Sequence, residues 1–163
     1  MVSRIGTGIL SVLAGLLAGA TGAPQSGKPQ ETDEAKERAR FVGVWKGFTV
    51  EGRGENPDRG PVKLELTITE KTMRGIEIKG ETRIDHGTGE FTLDLKASPR
   101  RLDAAKTNER GRKQAYVGIY TLEGDTLRWC VSPQKERPET FETRKGQFLV
   151  ILKKDRKADP GPR

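Results

Sequence analysis

Reactive and cross-linking side chains are nearly missing from this chain of 163 residues, which has one cysteine, Cys130, and one histidine, His86. A single cysteine excludes a disulfide within the chain. Nucleophilic catalysis of the Ser-His-Asp or Cys-His kind, and any zinc or copper site, would have to depend on His86 alone. His86 stands beside Asp85 in a glycine-flanked segment, so we interpret it as a solvated turn residue. Cys130 stands in an alternating strand pattern, and we interpret it as a small buried hydrophobe.

Sequence motifs for phosphate, dinucleotide or calcium binding are missing as well. We therefore predict that the protein is not an enzyme and that it uses no metal and no cofactor. One catalytic alternative remains, in which Asp94 and Asp103 act as an acid and base pair on a glycan. We favour the simpler interpretation that both carboxylates accept hydrogen bonds from backbone amides at strand ends and turns.

The charge of the chain is high and of both signs, with 30 Lys and Arg against 23 Asp and Glu, a formal net charge of +7. A basic excess favours anionic surroundings such as envelope polymers or lipid head groups. Arg110, Arg112 and Lys113 form a candidate surface for such an anionic polymer or lipid, and a merely solvated loop is the alternative. Nucleic acid is not expected as a partner, because no aromatic side chains on which bases could stack are interleaved with these basic residues.

The first twenty residues have the pattern of a signal peptide. Arg4 is the only charged residue among them, residues 5–20 are apolar or small, and Ala18-Gly19-Ala20 has the A-x-A form of a cleavage site. We therefore predict a cleaved signal peptide over residues 1–20 and a secreted or periplasmic protein. Cleavage after Ala23 and an uncleaved membrane anchor are the alternatives.

One domain is predicted over residues 32–154, between a flexible leader (21–31) and a disordered tail (155–163). The domain begins with a short helix, for which Thr32 or Asp33 provides the N-cap. Its length is that of a single compact unit, and we expect a monomer.

Strands and turns account for the rest of the domain. Short segments alternate apolar and polar residues, most regularly over residues 62–69. We also expect a turn at residues 85–89 and a short strand around Phe141. Eight or nine short strands joined in sequence, with almost no helix, predict an all-β fold, an up-and-down antiparallel barrel of about eight strands. An immunoglobulin-like sandwich is the alternative.

A hairpin around the two-residue turn Gly124-Asp125 is the most informative of these strand pairs. The turn pairs Tyr120 with Trp129 on one face of the hairpin and Ile119 with Cys130 on the other. Because both faces carry apolar side chains, both must be buried, as in a closed or two-layered antiparallel structure.

Several stretches resemble a known family of domains. They are FVGVWK (41–46), FTLD (91–94), RLDA (101–104), YVGIYTLEGDTLRWC (116–130), RPETF (137–141) and FLVILKK (148–154). From about Ala39 to Lys154 the chain resembles the lipocalin-like conserved domain of exported planctomycete proteins, a family of uncharacterised function. The resemblance implies an eight-stranded calycin-type barrel, with Trp45 closing one end beneath a stacked arginine.

Such barrels often hold a small apolar ligand, and others are filled by their own side chains. We therefore predict non-covalent binding of a small apolar or amphipathic ligand inside the barrel. The sequence does not decide which strand face points inward. The candidate lining residues are Trp45, Phe91, Leu93, Tyr116, Tyr120, Leu122, Leu127 and Trp129. The alternative is a cell-envelope interaction module with a filled core and a basic surface that binds anionic polymer or lipid.

Overall fold

One short helix precedes eight strands along the chain. The computed structural model describes residues 32–51, 61–107, 111–133, 136–144 and 146–157. The elements are α1 Asp33–Phe41, β1 Gly43–Glu51, β2 Val62–Ile68, β3 Thr72–Lys79, β4 Thr82–Asp94, β5 Arg101–Thr107, β6 Lys113–Glu123, β7 Thr126–Ser132 and β8 Phe148–Lys154. The predicted signal peptide (1–20), the leader (21–31) and the end of the predicted tail (158–163) lie outside the described residues.

Each strand pairs antiparallel with the next, and β8 pairs with β1, so the sheet closes into a barrel. The predicted all-β barrel of about eight strands is therefore confirmed, and the sandwich alternative is wrong. The closing pair brings the β1 and β8 backbones close together at Gly47, where a Cβ atom would lie 2.0 Å from the carbonyl oxygen of Ile151. Glycine is required at this position because no side chain fits between the strands.

The hairpin of β6 and β7 has the predicted register, with Tyr120 opposite Trp129 and Ile119 opposite Cys130. Tyr120 and Trp129 belong to the core cluster inside the barrel. Ile119 and Cys130 alternate with them, so they point to the outside of the barrel, and yet both are fully buried. The predicted burial of both faces and the interpretation of Cys130 are thus confirmed.

The segment after β7 covers the outer face of the barrel, on which Ile119 and Cys130 are buried. Arg137 donates a hydrogen bond to the carbonyl oxygen of Gly118, at 2.7 Å, and forms an ion pair with Asp103 on β5. The ring of Phe141 lies 5.5 Å below the guanidinium of Arg128. The strand predicted around Phe141 is wrong, because this segment makes side-chain contacts with the outer face instead of joining the sheet.

The predicted turn at residues 85–89 is also wrong, because these residues lie within β4 and the chain reverses at Gly80-Glu81. The register between β3 and β4 shifts here, as in a β-bulge. Gly87 has a φ of 81°, and its amide donates to the carboxylate of Asp85 at 2.8 Å. Asp and Gly, which usually form turns, here form a bulge within a strand.

The helix closes one end of the barrel. Of the two predicted candidates, Thr32 is its N-cap, and the Thr32 hydroxyl accepts a hydrogen bond from the amide of Ala35 at 3.2 Å. The Phe41 ring packs against the rings of Tyr120 and Phe91, with centroids 5.2 and 6.1 Å away. Among the described residues, no helix combines the length and apolar character needed to cross a membrane.

Candidate functional site

Large buried side chains pack together at the end of the barrel beside the helix, which we call the closed end. Its fully buried members include Phe41, Trp45, Leu102, Tyr120, Leu127 and Leu152. The Trp45 indole donates a hydrogen bond to the carbonyl oxygen of Phe41 at 2.7 Å. The ammonium group of Lys154 lies 5.8 Å from the Trp45 ring centroid, in the place where the family resemblance implies an arginine. Lys154 reaches the ring because it pairs with Trp45 across the closing strands.

One carboxylate, that of Glu37, is buried at the closed end. It accepts hydrogen bonds from the Tyr120 hydroxyl at 3.1 Å, from Arg100 at 2.9 Å and from Arg40 at 2.7 Å. Burial first, and then the Glu37 charge, raise the pKa of Tyr120 far above its usual value. Sequence analysis missed Glu37, although its spacing of four residues from Phe41 places the two on one helix face. Because Tyr120 lies on β6 and Arg100 directly precedes β5, this network links the helix to the barrel and stabilises the closed end.

The opposite end of the barrel, which we call the open end, contains a cavity of about 890 Å³. Its floor is apolar and includes Leu66, Met73, Trp129 and Val150. Further apolar wall residues are Val62, Leu64, Ile78, Ala104, Tyr116, Val131 and Phe148. Space is left because Gly75, Gly89 and Ala104 supply almost no side-chain volume where the closed end has aromatic rings.

All eight predicted lining residues lie in or against the core cluster inside the barrel. The structure places two of them, Tyr116 and Trp129, in the cavity wall. The other six lie outside the wall, in the packed interior: Trp45, Phe91, Leu93, Tyr120, Leu122 and Leu127. The inward strand face is therefore the one that carries the predicted residues, and most of these residues close the barrel instead of lining its cavity.

Trp129 separates the filled part of the barrel from the hollow part. Its indole donates a hydrogen bond to the carbonyl oxygen of Leu102 at 3.0 Å, and the side chain borders the cavity. Gly118 makes this orientation possible, since a Cβ atom there would lie 2.3 Å from the indole nitrogen.

Charged side chains lie at the mouth of the cavity on the neighbouring strands β2 to β5, beginning with Lys63 on β2. Glu77 binds Lys79 through one oxygen at 2.7 Å and the His86 ring through the other at 3.0 Å. The ammonium group of Lys106 donates to the carbonyl oxygen of His86 at 2.5 Å. The hydrogen bond from Lys79, and then that from His86, lower the pKa of Glu77 despite its partial burial. Sequence analysis missed this cluster and treated His86 as a turn residue.

The ion pairs of Glu77 give a prediction for acid stability. Because the pKa of folded Glu77 lies below its usual value of 4.5, these pairs add stability above that pH and lose it as the pH falls through the lower folded value. We expect Glu77→Gln to reduce the fall in unfolding free energy between about pH 5 and about pH 3, measured by urea denaturation. If the unfolding free energy of the variant falls as much as that of the wild-type protein over this pH range, Glu77 has no such role.

The remaining candidate residues lie away from the cavity. Asp94 accepts hydrogen bonds from the amides of Lys96 and Ala97 at 3.1 and 3.2 Å, and Asp103 accepts one from the amide of Gly118 at 3.1 Å. The interpretation that both carboxylates bond backbone amides is confirmed.

Two of the three residues of the candidate anionic-binding surface lie at the start of β6. Arg110 is outside the described residues, while Arg112 and Lys113 are exposed. Within the described ranges, no three His, Cys, Asp or Glu side chains converge as a metal site would require.

Fold and cavity together define an eight-stranded antiparallel barrel that is closed by a helix at one end and hollow at the other. Comparison of the chain with family models, with curated proteins and with solved structures finds no match.

Proposed function

We propose that the protein is an exported, lipocalin-like binding protein that holds a small apolar or amphipathic molecule non-covalently in its barrel and catalyses no reaction. The cavity at the open end carries this proposal. Its volume of about 890 Å³ lies within the usual range of small-molecule sites, about 300–1,000 Å³. The signal-peptide pattern supports export, and the matching sequence stretches support kinship with the planctomycete domain family.

The shape of the cavity supports a ligand with a large apolar part. Leu66, Met73, Trp129 and Val150 form a continuous apolar floor, where an apolar group leaves water and gains dispersion contacts. The alternative of an envelope module with a filled core is less well supported, because the open end of the barrel contains a cavity.

Fluorescence of the uncharged dye N-phenyl-1-naphthylamine tests the proposal. We expect the dye to brighten on binding to the wild-type protein, and Ala104→Phe to weaken binding at least about tenfold because the new ring occupies the cavity. Ala115→Phe is the matched control, since Ala115 lies on the neighbouring strand β6 and is exposed.

Dye titrations of these three proteins separate the outcomes, with urea unfolding to verify that each variant is folded. Wild-type protein and Ala115→Phe should bind the dye alike. Failure of the wild-type protein to bind it, or equal binding by folded Ala104→Phe, would contradict the proposed cavity function.

A further inference from the structure

The charged groups of the cavity are concentrated on one side of its mouth. Lys63 comes from β2, Glu77 and Lys79 from β3, His86 from β4 and Lys106 from β5, and these four strands are neighbours in the barrel. The floor and the wall formed by β7 and β8 are apolar. Any ligand that fills this cavity therefore meets apolar surface along most of its length and charge at one end.

The charges of the described side chains at this mouth do not balance. Both carboxylate oxygens of Glu77 are already bonded, one to Lys79 and the other to His86. Among the described residues, no carboxylate forms an ion pair with Lys106, whose ammonium group donates instead to the uncharged carbonyl oxygen of His86. An ammonium group has three donors, so Lys106 can form further hydrogen bonds. With Lys63 on β2, the described side chains of the cavity mouth therefore present an excess of positive charge.

We infer that the ligand of this barrel is an amphiphile with an apolar part and an anionic head group, and that Lys106 binds this head at the cavity mouth. The inference rests on the proposed function and adds the chemical class of the ligand. An anionic head neutralises Lys106 where the nearby apolar wall makes an unpaired charge unfavourable. A cationic head meets Lys63, Lys79 and Lys106, while the carboxylate of Glu77 already has two partners.

Three ligands with the same twelve-carbon tail test the inference by displacement of N-phenyl-1-naphthylamine at low salt. They are dodecanoate, dodecanol and dodecyltrimethylammonium, each kept below its micelle-forming concentration. We expect Lys106→Met to weaken dodecanoate binding about tenfold, the usual effect of losing a charge-assisted hydrogen bond. Dodecanol binding should change less than about twofold, because the tail contacts remain.

Two further variants sharpen the test. Lys106→Glu should weaken dodecanoate at least about tenfold and improve dodecyltrimethylammonium binding, since the sign of the local charge is reversed. Lys153→Met is the matched control, because Lys153 is exposed on β8 and its strand neighbours are Lys46 and Thr126, away from the cavity. It should leave the binding of all three ligands unchanged.

The outcomes distinguish this inference from the function on which it rests. If wild-type protein binds neither the dye nor dodecanol, the proposed cavity function fails. If dye and dodecanol bind but Lys106→Met leaves dodecanoate unaffected, or if the ammonium ligand competes as well as dodecanoate, the anionic head group is wrong and the cavity function stands.

Discussion

Replacing Trp45 with alanine should lower the free energy of unfolding by about 3–5 kcal/mol, among the larger effects expected of a single substitution. The Trp45 indole is completely buried at the closed end, so its removal leaves a cavity that the surrounding rings cannot fill. The hydrogen bond to the carbonyl oxygen of Phe41, at 2.7 Å, is lost as well. Urea denaturation followed by circular dichroism measures the change.

Trp45→Phe is the control for this prediction. It retains a ring in the closed end and loses mainly the hydrogen bond, so we expect a loss of about 1–2 kcal/mol. If Trp45→Ala costs less than about 1 kcal/mol, Trp45 does not close the barrel as described.

Gly47→Ala should destabilise the protein by about 3 kcal/mol, because the added methyl group has no space. A Cβ atom at Gly47 would lie 2.0 Å from the Ile151 carbonyl oxygen and 2.9 Å from the Leu152 Cα atom. Both are backbone atoms of β8, so the closing strand pair has to move apart.

Gly75→Ala is the matched control, since Gly75 is also a strand glycine that faces inward. Its Cβ would meet a methyl group of Leu66 at 3.4 Å, an ordinary contact. We expect this variant to differ from wild type by less than about 0.5 kcal/mol, because reduced freedom of the unfolded chain offsets small adjustments. Equal effects of the two substitutions in urea denaturation would contradict the closure of the barrel at β1 and β8.

The sequence predicted the parts of this fold that depend on local pattern. The hairpin register was predictable because a two-residue turn fixes every pair, from Leu122–Leu127 to Ile119–Cys130. The burial of both hairpin faces followed from apolar residues at successive positions. What covers the outer face was not predictable, because Arg137 and Asp103 are far apart in the chain and meet only after folding.

The cavity could not be predicted because its position depends on the summed volume of side chains from eight strands. Nothing in the local sequence around Gly75 or Ala104 indicates that these small residues face a cavity. Ile76 suggests that its side of β3 faces the core, yet pairing with Leu64 and Leu66 of β2 turns Glu77 and Gly75 inward. The sequence likewise predicted a turn at His86. The bulge in β4 instead keeps this residue in the strand, where it lines the cavity.

Native mass spectrometry of the protein purified from its own host tests the central claim most directly. We expect a discrete small molecule bound at one copy per chain and released on denaturation. Ala104→Phe from the same host should lack this molecule, and Ala115→Phe should retain it. A mass equal to that of the bare chain in all three proteins would contradict a barrel that carries a ligand.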